Sequence, residues 1–111
     1  MILDKYGNTT IVFQETTSIT EFIQNLTKAY SRIEKDHIIL NLFSFEKLDT
    51  NDILEFLEIS NNHRAKRKSF VLVSKKISYE DVPEEMCLVP SIQEAKDLIE
   101  MEEIERDLDL S

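Results

Sequence analysis

Apolar positions along this chain recur with two different periods, and each change of period marks a strand giving way to a helix. Ile2 to Tyr6 and Thr9 to Glu15 are short strand-like runs on either side of Gly7-Asn8, a two-residue hairpin signal. From Ser18 the period lengthens. Ile19, Phe22, Ile23, Leu26, Tyr30 and Ile33 share one helical face, and Glu21 stands three residues after Ser18 to complete a capping box. His37 to Phe43 (HIILNLF) is then almost continuously apolar, as a central strand covered on both faces must be.

The second half repeats the alternation. Asp49 and Asp52, or Thr50 alone, can cap a helix running to about Lys66, with Ile53, Phe56, Leu57 and Ser60 as its inward stripe and Leu54 and Ile59 on its flanks. Ser69 to Ser74 (SFVLVS) is a second buried strand. Lys75 to Glu85 holds Pro83 and little periodicity, so it reads as a loop or one helical turn. Met86 to Val89 adds a short strand, and Ser91 with Glu94 caps a last helix whose Ile92, Ala95, Leu98 and Ile99 share a face. This order predicts an α/β fold, with helices packed on a mixed, mostly parallel sheet of four to five strands. Residues 37–43 and 69–74 are its central strands, joined by a right-handed crossover.

Beyond Ile99 the apolar stripe changes face. Met101, Ile104 and Leu108 fall roughly opposite Ala95, Leu98 and Ile99 at about 100° per residue, and one straight helix cannot bury both sets on one sheet. The chain therefore divides into a domain over residues 1–100 and an acidic helical extension over 101–111. The extension is expected to pass the domain body and dock Met101, Ile104 and Leu108 on another chain, either a twin subunit in a homodimer or the functional partner. The plainer alternative is an acidic tail in solvent.

Composition narrows the function classes. The 111 residues fit one domain, and the only glycine, Gly7, excludes the glycine-rich loops that cradle phosphates. A single cysteine, Cys87, cannot form an internal disulfide, and His37 and His63 have no ligand-like spacing, so no metal or other cofactor is expected. Asp4 and Lys5 interrupt any leader-like start and no apolar run would span a bilayer, so the expected location is cytoplasmic, away from membranes. The net charge of −9 is uneven: residues 80–111 hold twelve of the 22 acids and only two cations. Arg64, Lys66, Arg67, Lys68, Lys75 and Lys76 form a basic island free of acids. With an overall pI near 4.7, those cations read as helix-end and loop charges rather than a nucleic-acid surface.

The run IILNLF, the turn LDTND that opens a helix, SFVLVS and PSIQEAKDLI together resemble the STAS domain of bacterial anti-sigma factor antagonists and sulfate transporter tails, over roughly residues 8–99. In that family an aspartate at the end of the strand precedes a hydroxyl residue that a partner kinase phosphorylates. Asp49 matches the aspartate and Thr50 the phosphoacceptor. Asn51 is a tolerable small polar residue, whereas Asp52 stands where the family has glycine or alanine, and the helix after the fourth strand is reduced to Ser78 to Glu85. The segment IEMEEIERDL is also similar to short bacterial proteins labelled ribonuclease Z, although the dense histidine-aspartate motif of that enzyme has no counterpart here.

The resemblance implies a non-enzymatic regulatory module that works through protein–protein contacts with an anti-sigma factor or kinase-like partner. Asp49, Thr50, Asn51, Asp52 and Leu54 would line its interface. The alternative is an accessory or scaffold protein of the same fold without the phosphoswitch, bound to another machine such as an RNA-processing enzyme. Asp49 and Asp52 as plain helix caps would each contribute about 1 kcal/mol. Catalysis would require a nucleophile or oxyanion-stabilising group beside them, and the pattern places none there. Cys87 reads as a small buried side chain, and His63 as a weakly favoured cation at a helix end.

Overall fold

Five strands form one sheet in the order β1 (Ile2–Tyr6), β2 (Thr9–Phe13), β3 (His37–Asn41), β4 (Phe70–Val73), β5 (Cys87–Val89) in the computed structural model, which describes residues 1–15 and 17–109. Only β1 and β2 are antiparallel; β2 to β5 run parallel. The hairpin closes at Gly7, whose φ of 59° followed by an ordinary negative φ at Asn8 is the type II′ pattern that matches strand twist. The expected central pair is thus found parallel, with Ile39 opposite Val71 and Leu40 opposite Leu72, all fully buried.

Helices cover both faces. α1 (Ile19–Ile33), α2 (Thr50–Leu54) and α3 (Leu57–Ala65) bury Phe22, Leu26, Ile53 and Phe56 against Val12, Ile38, Leu40, Phe70 and Leu72. α4 (Ile92–Asp109) buries Ala95 and Ile99 against Ile39, Val71 and Val73 on the other face. At α1 the Ser18 hydroxyl accepts the Glu21 N–H at 3.1 Å, while the Glu21 carboxylate accepts from Thr17, so the expected capping box is half formed. At α4 the Ser91 hydroxyl both accepts the Glu94 N–H and donates to its carboxylate. Residues 79–81 form one 3₁₀ turn.

Three expectations are corrected. The single helix from Thr50 to Lys66 is two helices, because tight bonds from Glu55 N–H to Asp52 and from Phe56 N–H to Ile53 break the regular ladder. The break drives Phe56 fully into the core, edge-on to Phe22 at 6.0 Å. His63 is not favoured as a cation by its helix end: it is fully buried, and burial lowers its pKa. The chain does not leave the body at Met101, since α4 continues unbroken and keeps contact with the body through Arg106. Leu110 and Ser111, the end of the expected extension, lie outside the described residues. Among the described residues, no helix is long and apolar enough to cross a membrane.

Candidate functional site

The loop leaving β3 is shaped before it reaches Asp49. The Asn41 side chain accepts the Phe43 N–H at 3.0 Å and so ends the strand two residues before the apolar run does. Ser44 donates its hydroxyl to the Gln14 carbonyl at 2.6 Å, tying the loop to the end of β2. Phe45 turns inward and packs edge-on against Phe22 at 5.6 Å. From the far side of the sheet's end, Lys76 Nζ donates to the Phe45 carbonyl at 2.7 Å and to that of Glu46. Lys76, part of the basic island, thus acts as a clamp. With its neighbours so held, Phe43 stays 44% exposed.

The turn Asp49 to Asp52 follows. Asp49 Oδ1 accepts the Asp52 N–H at 2.9 Å and Asp52 Oδ2 accepts the Asp49 N–H at 3.1 Å, a full capping box made by two aspartates. Each carboxylate has one oxygen committed to backbone. Asp49 and Asn51 are exposed, Thr50 and Asp52 half-buried, and Leu54 exposed. An open cleft of about 860 Å³ separates this turn from the start of α1, lined by Ser18, Thr20, Ser44, Lys47, Asp52 and Glu55 among others. The residues expected from the sequence as an interface therefore lie together at the C-terminal edge of the parallel strands, where α/β folds present their loops.

Met101, Ile104 and Leu108 lie elsewhere, on the outward side of α4 at 59%, 59% and 68% exposure. The inward side of the same turns is charged. Arg64 holds the Glu102 carboxylate with two hydrogen bonds, at 2.7 and 3.3 Å, Ser69 donates to it at 2.6 Å, and Arg106 lies 3.6 Å away. Arg106 also donates to the Ser69 hydroxyl at 3.0 Å. Burial pushes the Glu102 carboxyl up, but the bonds from Arg64 and Ser69 with the charges of Arg64 and Arg106 outweigh it and hold it below its usual value. Cys87, half-buried, lies 4.0 Å from this carboxylate, and burial pushes its thiol up, the state of an unreactive thiol.

Both histidines belong to such networks. His37 Nδ1 accepts the Ser69 N–H at 2.9 Å, which leaves Nε2–H to face Glu103 at 3.2 Å. Burial lowers its pKa further than Glu103 raises it, so this contact is a hydrogen bond from a neutral ring. At His63, Nε2–H donates to the Asp36 carbonyl at 2.8 Å and Nδ1 accepts from the Tyr30 hydroxyl at 2.6 Å, which itself accepts from Lys66. No periodicity signalled these contacts. A signal did exist for Glu102 and Arg106: they continue the Ala95–Ile99 face at helical spacing and form an i, i+4 pair. Among the described residues, no group of three or more His, Cys, Asp or Glu is arranged to hold a metal ion. Compared with protein-family models and with curated proteins, the chain matches none.

Proposed function

We propose that this chain is a STAS-like, non-catalytic regulatory module that binds a protein partner through the β3–α2 loop, in the manner of the anti-sigma factor antagonists its sequence resembles. The observation that carries this reading is the loop's construction. Ser44, Phe45 and Lys76 hold the backbone in place while Phe43, Asp49 and Asn51 project into solvent at the strand ends and Thr50 stays half-buried between them. A held loop that exposes an aromatic side chain suits recognition, because little ordering entropy remains to be lost on binding.

One observation favours a second reading. The Asp49–Asp52 capping box puts a carboxylate on each side of Thr50, so a phosphate there would add about −1.5 to −2 charges beside two existing ones. That supports an accessory or scaffold protein that retains the fold and lacks the phosphoswitch, attached to another machine such as an RNA-processing enzyme. Affinity purification of the full chain from its native cell separates the two. A kinase or sigma-regulating protein supports the first reading, and co-purification of a nuclease supports the second. With the partner in hand, Thr50→Glu is expected to lower its affinity about tenfold, or about 1.4 kcal/mol, at unchanged thermal stability. Unchanged affinity removes the loop from the interface.

A further inference from the structure

The second half of α4 is amphipathic the wrong way round. Toward the sheet it presents Glu102, Glu103 and Arg106; toward solvent it presents Met101, Ile104 and Leu108. Removing charges from water is costly, and apolar residues of similar volume often do as well or better in their place. A bidentate Arg64–Glu102 pair extends to the second half of the helix the rotation that buried Ala95 and Ile99 set in the first. The network therefore holds the apolar stripe outward.

The rims of that stripe share one sign. At about 100° per residue, Glu100 and Asp107 border it on one side and Glu105 and Asp109 on the other, and all four are exposed. Among the described residues the ion pairs of α4 lie on its inward side, away from these four acids. A second copy of the chain laid on this face would bring acid against acid, which like-charge repulsion disfavours. Complementarity selects the opposite partner.

We infer that the outward face of α4 over residues 101–108 is a docking surface for a cationic amphipathic helix of another protein. The partner's apolar side chains would cover Met101 and Ile104, and its lysines or arginines would meet the acidic rims. This rests on the reading of the chain as an interaction module and adds a second contact surface to it, separate from the β3–α2 loop.

The test uses the full chain and three synthetic peptides: Leu and Lys at amphipathic helical spacing, the same pattern with Glu for Lys, and a scrambled Leu–Lys peptide. Binding is followed by fluorescence anisotropy, and molar mass by sedimentation. The patterned Leu–Lys peptide is expected to bind at least about tenfold tighter than either comparator, and to weaken with added salt as rim charges are screened. Met101→Gln with Ile104→Gln is expected to lower that affinity about tenfold while leaving thermal stability in place, since both side chains are exposed. Equal binding of the scrambled peptide, or affinity unchanged in the double variant, overturns the inference. A dimer that the double variant dissociates does so too, because a second copy then covers the stripe. Failure here beside a preserved Thr50→Glu effect confines partner contacts to the loop; the converse leaves α4 as the surface and removes the loop.

Discussion

Single residues carry strain and satisfaction unequally in this molecule. Arg67 follows α3 with a φ of 65°, a conformation that glycine adopts freely and that costs a side-chain-bearing residue about 1 kcal/mol. It persists because the Lys66 and Arg67 N–H groups close the helix on the His63 and Arg64 carbonyls. The Arg67 side chain returns little, through one exposed contact of 3.4 Å to the Arg106 carbonyl. Arg67→Gly is therefore expected to raise stability by about 0.5–1 kcal/mol, seen as a higher denaturation midpoint at unchanged slope. A lower midpoint would assign more to the Arg106 contact than its geometry supports.

At the scale of an element, α4 shows how a helix can be held by two unlike means. Its first half is anchored by Ala95 and Ile99 in an apolar layer, and Lys96 lies over the Tyr6 ring at 3.9 Å. Its second half is anchored by charge. Glu102 sits between Arg64 and Arg106, so neutralising it leaves two guanidinium groups without their counterion in a half-dry site. Glu102→Gln should cost about 2–3 kcal/mol in chemical denaturation, whereas Glu100→Gln, on the exposed side, should change stability by less than about 0.5 kcal/mol. Similar small effects for both would mean that the network contributes nothing to docking the helix.

For the whole molecule the two charge excesses that look separate in the sequence meet in space. The acidic C-terminal helix lays Glu102 on Arg64, at the head of the basic island, while Lys76 at the island's other end clamps the β3–α2 loop. This arrangement has a pH signature. The folded-state pKa values of His37 and His63 are lowered by burial from 6.5, so between that value and their folded values the unfolded chain binds more protons. Stability then falls as pH drops below about 6.5. Glu102, also lowered, adds a second loss as pH falls through and below the usual carboxylate range. The melting temperature should be flat between about pH 7 and 8 and decline in two stages below that window, and His63→Phe should be less stable yet show a shallower first stage. A first stage as steep as in the unsubstituted protein would show that His63 does not titrate on unfolding.

Periodicity together with turn and capping residues determined the framework: the hairpin at Gly7-Asn8, the parallel pair of apolar runs, and the caps at Ser18, Asp49 and Ser91. These are local or near-local consequences of side-chain spacing, written wherever neighbours in sequence are neighbours in space. The break at Phe56, the neutral state of His63 and the inward charges of α4 depend on partners about 30 to 40 residues away: Phe22 for Phe56, Tyr30 for His63, Arg64 for Glu102. A helical wheel set Met101, Ile104 and Leu108 opposite the Ala95–Ile99 face, and the expectation drawn from it carried the chain past the domain body beyond Met101. Tertiary structure decided otherwise, because a hydrogen-bonded ion pair holds the second half of the helix to the body through direction and distance, which hydropathy does not encode.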